Sequence, residues 1–182
     1  MVDDVYGTCM ATLKPHPHNS QGFELFHCTG SGGLVPSFAL RSRIRDKVAF
    51  DSPIAGFRIV TKDNIHLQGT KVSQGNKAFH DTYPPQEDSA HCLKGLVEKG
   101  VAIVGKTKMN SFGNWEEPLE YIDYQAPWNP RGDGYQSTGG SSSGSAAALA
   151  AYDWLDIAIG TDSKFLVRCA CSKEASNFGG CF

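Results

Sequence analysis

Residues 137–151 read S-T-G-G-S-S-S-G-S-A-A-A-L-A-A, five serines and three glycines running straight into an alanine-rich helix former. Small residues at a helix N-terminus let backbone amides and hydroxyls approach a ligand closely. The amides of the first turn also favour negative charge. Two chemistries use that arrangement: cradling a phosphate, or stabilising the oxyanion of an acyl-transfer reaction. The phosphate reading is the poorer one. A P-loop ends in G-K-[ST], whereas this chain has S-G-S-A at residues 143–146. A dinucleotide loop follows a strand, whereas here the preceding residues are N-P-R-G-D-G-Y-Q. A flexible linker would share the first half of the stretch but not its continuation into Ala146–Ala151.

Such hydroxyls act only if other elements bring partners to them. Gly56-Phe57-Arg58-Ile59-Val60-Thr61 alternates and is rich in β formers, which predicts a strand with Lys62 at its exit. Taken alone, a lysine at a strand end is a solvated charge. Asp88 or Ser89 is placed to cap a helix carrying Ala90, Leu93, Leu96 and Val97 on one face, and Gly100 to end it. Val101–Val104 then reads as a buried strand and Lys106–Phe112 as a short helical piece. A helix over about 144–153 and a strand at Asp156–Gly160 follow the serine run. Strand, helix, strand in that order predicts an α/β sheet. Residues 1–52 show weak periodicity and read as an irregular lead-in with one short strand near Val35–Phe38. Residues 114–136 read as an ordered loop, because Trp115, Tyr121, Tyr124 and Trp128 are costly to leave in water.

Four segments in order now carry a resemblance. P-I-A-G-F-R-I-V-T-K-D-N (53–64), G-V-A-I-V-G-K-T-K-M (100–109), G-G-S-S-S-G-S-A-A-A-L-A-A (139–151) and G-T-D-S (160–163) resemble successive motifs of the amidase signature family of serine hydrolases. The flanking W-N-P-R-G-D-G-Y-Q and A-A-Y-D-W-L-D resemble a fungal-type subgroup. The resemblance implies the N-terminal part of that fold, a mixed sheet flanked by helices and incomplete here. Its portion spans 53–163, between the lead-in of 1–52 and a divergent tail at 164–182. It implies carboxamide hydrolysis through a Ser–Ser–Lys triad, with Lys62 as base and Ser141, in a cis peptide, as the middle serine. A lysine acts as base only in its neutral form, which burial favours. Ser141 would relay a proton between Lys62 and a nucleophilic serine that forms the acyl-enzyme. The triad needs no metal or organic cofactor, so none is expected.

The resemblance fails where the nucleophile should be. The family's loop runs roughly G-T-D-(T/S)-(G/C)-G-S-(I/V)-R, whereas this chain has G-T-D-S-K-F-L-V-R over residues 160–168. The nucleophile position falls on Leu166, which has no hydroxyl, and the two small residues before it are Lys164 and Phe165. Ser163 matches a position three residues upstream; such a shift misplaces an oxygen by several Å, and about 1 Å can already cost on the order of 10²-fold. Members of the family are much longer than these 182 residues, so we expect a truncated copy with low or no activity. The alternatives are a catalytically silent remnant that binds a partner, or a short product that regulates a full-length paralogue.

Composition bounds the remaining classes. A net charge of −2 calls for neither nucleic acid nor an anionic membrane. No apolar run reaches the roughly 18 residues of a membrane span, and the acidic N-terminus lacks the apolar stretch of a signal peptide. The expectation is a cytoplasmic chain with reduced thiols. Of the six cysteines only Cys169 and Cys171 are close together, too few for a zinc site, and His16-Pro17-His18 reads as loop. The sequence gives neither substrate identity nor oligomeric state.

Overall fold

The computed structural model describes residues 1–30, 33, 35–114 and 121–161. Its elements are β1 (Val2–Asp3), β2 (Cys9–Pro15), β3 (Phe23–Leu25), β4 (Ser37–Phe38), α1 (Arg43–Ala49), β5 (Arg58–Lys62), α2 (Lys77–Thr82), α3 (His91–Glu98), β6 (Ala102–Thr107), α4 (Ser143–Ala151) and β7 (Ile157–Ile159). Five strands form a mixed sheet in the order β3-β2-β6-β5-β7. Strand β5 lies parallel to both β6 and β7, while β2 pairs antiparallel with β6 and β3. β1 and β4 form a separate two-stranded pair.

The two-residue period of a strand explains why both sheet faces are apolar. Ile59 and Ile103 point to one face, where Leu13, Phe23, Leu67 and Leu93 pack. Val60 and Val104 point to the other, against Phe38, Ala148, Tyr152 and Leu155. Helix α3 covers the first face through Leu93, and α4 the second through Ala148. The serine and alanine content of α4 suits its place, since residues 143–148 are all buried. Gly144 marks the closest approach: a β-carbon there would stand 2.5 Å from both the Lys108 amide nitrogen and the Thr8 carbonyl oxygen. Any side chain at that position would push the helix off the sheet.

Several expectations need correction. The first 52 residues are not an irregular lead-in with one short strand, because they hold four strands, and β2 is an interior member of the main sheet. Lys106 is not helical. It belongs to β6, and only Ser111–Gly113 forms a 3-10 turn beyond it. The N-cap position of α3 is Ala90, with no side-chain cap; the Ser89 hydroxyl instead accepts the Gln68 amide at 2.9 Å. The aromatic loop is less buried than its composition suggests, since Tyr135 is 88% exposed. Trp115 lies outside the described residues. Among the described residues, no helix is long and apolar enough to cross a membrane.

The N-terminal segment is tied to the end of α4 by one buried carboxylate. Asp4 accepts from the Thr8 amide (3.0 Å), the Thr8 hydroxyl (2.9 Å), the Cys9 amide (2.6 Å) and the Tyr152 phenol (2.6 Å). Burial, and then the Asp4 charge, push the Tyr152 phenol far above its ordinary 10.0. Above pH 10 the unfolded chain therefore releases this proton while the folded chain keeps it. Stability is fully present below that pH and falls as pH rises beyond it. Tyr152→Phe should cost about 1.5–3 kcal/mol at neutral pH, the range for a hydrogen bond to a charged group. It should also flatten the alkaline loss of stability. Urea unfolding at neutral pH and again above the ordinary phenol range checks both.

Candidate active site

Strand β5 ends by turning Lys62 toward α4. Its neighbour in register is Thr107 of β6, whose hydroxyl meets Ser145 of α4 at 2.7 Å, so both residues face the helix. Lys62 is 1% exposed and Ser141 is 5% exposed. The Lys62 Nζ donates to Ser141 Oγ at 2.7 Å and to the Thr161 carbonyl at 3.3 Å. The two residues named from the sequence thus meet across 79 positions of chain.

The backbone around Ser141 is tightly held. The Gly140–Ser141 peptide is cis. The Asn110 amide donates to the Ser141 carbonyl at 3.2 Å. Gly140 leaves room for Asn110, whose Oδ1 would stand 2.5 Å from a β-carbon at that position. The other serines of the run are engaged with neighbours. Ser142 holds the N-cap position of α4 without capping it; its hydroxyl bonds the Thr161 amide and carbonyl, each at 3.3 Å. Ser143 meets the Tyr121 hydroxyl at 3.0 Å, and Tyr121 donates to Asn110 Oδ1 at 2.6 Å. Ser145 donates to the Ile159 carbonyl at 3.1 Å. The run of hydroxyls is therefore a lattice joining the start of α4 to the ends of β5, β6 and β7.

A second buried lysine lies behind the first, and sequence reasoning missed it. Lys106 pairs in register with Thr61, one residue before Lys62, and so points to the opposite face of the sheet. It is 1% exposed and stands 3.6 Å from Asp63 Oδ1. Its Nζ also donates to the Lys71 carbonyl at 2.9 Å. Burial pulls the Lys106 pKa below its usual value, and the Asp63 charge opposes that pull. Asp63 accepts through Oδ2 from the Ser73 amide (2.7 Å), the Ser73 hydroxyl (2.7 Å) and the Gln74 amide (2.9 Å). It thereby fixes the loop facing it. Strict alternation from Val104 would have turned Lys106 toward α4; the register shift between the Ile59–Ile103 and Val60–Gly105 pairs reverses its face, so local pattern gave no sign of it. A cleft of about 740 Å³ opens on this side, lined in part by Asp63, Lys71, His80, Asp123 and Tyr124, and does not include Lys62 or Ser141.

Leu166 and Ser163, with the whole of 164–182, lie outside the described residues. Among the described residues, no group of three or more His, Cys, Asp or Glu side chains is arranged to hold a metal ion.

With fold and geometry in place, the class follows. Residues 39–169 match the family model described as Amidase, and the chain belongs to that family. It is 38% identical over 121 residues to a glutamyl-tRNA(Gln) amidotransferase subunit from Haloarcula marismortui, an overlap of 66% of this chain and 27% of that protein. Among solved structures, the corresponding glutamyl-tRNA(Gln) amidotransferase subunit from Thermotoga maritima matches with a TM-score of 0.57 and 30% identity, over 65% of this chain and 25% of that one. The peptide amidase of Stenotrophomonas maltophilia matches with a TM-score of 0.51 and 30% identity, over 70% of this chain and 26% of that one. The chain therefore spans about a quarter of the length of these relatives.

Proposed function

We propose that this chain carries the base-and-relay half of an amidase-type site, one that hydrolyses the C–N bond of carboxamides through a serine acyl-enzyme. Lys62 is the base and Ser141 the relay. The observation that carries this reading is the 2.7 Å contact between two buried side chains, one at a strand exit and one at a helix start. Removing water from around an amine disfavours its charged form, which is what a lysine base requires. The relatives named above, a peptide amidase among them, point to amide chemistry as well. The position that should bear the acyl group is Leu166, so the 182-residue chain has low or no turnover by this route.

The test joins residues 1–163 to the matching remainder of the Thermotoga maritima relative and compares this chimera with the unaltered chain on a panel of small and aryl carboxamides. Ammonia release by the chimera alone is the expected result. If the chimera releases none while folding as its relatives do, the hydrolase reading falls, and that of a silent binding or regulatory protein takes its place.

A further inference from the structure

We propose that in this chain Ser141 itself accepts the acyl group, with Lys62 as its base, so that the pair works as a two-residue nucleophile. The inference rests on the amidase reading for the substrate class, and adds a role for Ser141 that relaying does not contain. A serine beside a lysine is a sufficient acyl-transfer pair on other folds. What it requires is an amine within hydrogen-bond reach of the hydroxyl, a held backbone, an approach for the carbonyl, and positive potential where the oxyanion forms.

Each requirement has a counterpart. The amine is 2.7 Å from Oγ. The backbone is held by the Asn110 amide on the Ser141 carbonyl and by the packing of Gly140 against the Asn110 side chain. The approach lies on the side of Gly113. Among the described residues, a β-carbon built there meets only the Ser141 Oγ within 4 Å, at 3.9 Å. Gly113 has a φ of +72°, where a side chain is disfavoured, so Gly113 itself puts none beside the Ser141 hydroxyl. The positive potential comes from α4, a nine-residue helix that begins at Ser143, two residues beyond Ser141.

The step balances. Neutral Lys62 takes the Ser141 hydroxyl proton as Oγ bonds the carbonyl carbon. The C–N bond then breaks, and the Lys62 ammonium returns its proton to the leaving nitrogen. Water adds to the acyl-serine, giving its proton to Lys62, and the carboxylic acid departs as Ser141 recovers its hydrogen. A relay serine next to a distant nucleophile would carry no acyl group at any point.

The experiment treats the unaltered chain with an alkyl fluorophosphonate, which phosphonylates a nucleophilic serine with loss of fluoride. The intact mass gives the number of adducts and peptide mapping gives the site. One adduct on Ser141 is expected, forming faster as pH rises. It should be absent in Ser141→Ala and slower by about 10²–10⁴-fold in Lys62→Met, the range for a lost general base. Ser163→Ala should label like the parent. Mapping on the unsubstituted chain needs no variant to fold. An adduct on Ser163, or none on Ser141, overturns the proposal. Because the chimera tests amide hydrolysis separately, an active chimera with an unlabelled parent removes only the two-residue nucleophile. A labelled Ser141 beside an inactive chimera supports the nucleophile and removes the amide substrate.

Discussion

Lys62→Met in the chimera should lower kcat for carboxamide hydrolysis by about 10²–10⁴-fold, the usual contribution of a positioned base. The substituted side chain has similar length and no amine. It leaves the Ser141 hydroxyl without the donor at 2.7 Å and the Thr161 carbonyl without the one at 3.3 Å. Each buried group left without its donor costs about 1–3 kcal/mol, so the variant should be less stable, and the kinetics are read below its melting temperature. KM should move little, because the amine acts on the reacting proton rather than on the ground-state substrate. Lys62→Arg should be as inactive as Met, since a guanidinium keeps its proton in proteins. Steady-state kinetics on the three proteins, with thermal unfolding as a control, checks this. A fall in kcat below about tenfold would remove Lys62 from the chemistry.

Asp63→Ala should be the most damaging single change to stability. It leaves Lys106 buried without its counter-charge, and strips an acceptor from the Ser73 amide, the Ser73 hydroxyl and the Gln74 amide. Removing one member of a buried ion pair typically costs about 3–5 kcal/mol. At roughly 2–4 °C per kcal/mol for a chain of this size, the melting temperature should fall by roughly 6–20 °C. The deficit has a definite pH dependence. Burial already lowers the Lys106 pKa from 10.5, and losing Asp63 removes the opposing pull. The unfolded chain then binds the proton more readily than the folded one, so stability rises with pH through the folded pKa and up to 10.5. Asp63→Asn with Lys106→Met should recover most of the loss, because both charges are gone and the amide oxygen can still accept. Urea unfolding of the single and double variants measures all of this. A single-variant cost below about 1 kcal/mol would mean that water already solvates the pair.

What the sequence could show depended on how cleanly each element kept its period. Ile59-Val60 and Ile103-Val104 lie in short β-branched runs, and β5, β6, α4 and β7 are all close to where pattern puts them. Strand β2 was invisible for a specific reason. Its register against β6 shifts between Cys9 and Ala11, so the two-residue alternation is broken inside the strand. Cys9, Thr12 and Leu13 are buried together, which no single alternating template reproduces. Helix α2, six residues reading K-A-F-H-D-T, has no buried residue and hence no apolar stripe to read. The meeting of Lys62 with Ser141 was legible through the family motifs, not through periodicity, because contacts 79 positions apart leave no trace in local pattern. The Lys106–Asp63 pair had neither signal.

The Asp4 anchor has a consequence for the order in which the chain can mature. Its carboxylate is held in part by Tyr152, 148 residues further on, and β2 finds its β6 partner nearly as late, with Cys9 opposite Thr107. At the usual ribosomal pace of about 5–20 residues per second, the anchor waits roughly 7–30 s for its last hydrogen-bond donor. Until β6 is complete at Thr107, β2 has only the short β3 beside it and its other edge is unpaired, which is the kind of edge that pairs wrongly. The beginning of the chain is thus closed in two stages, β2 by β6 and then Asp4 by Tyr152, and its yield in a cell depends on what shelters the open edge of β2 before the first.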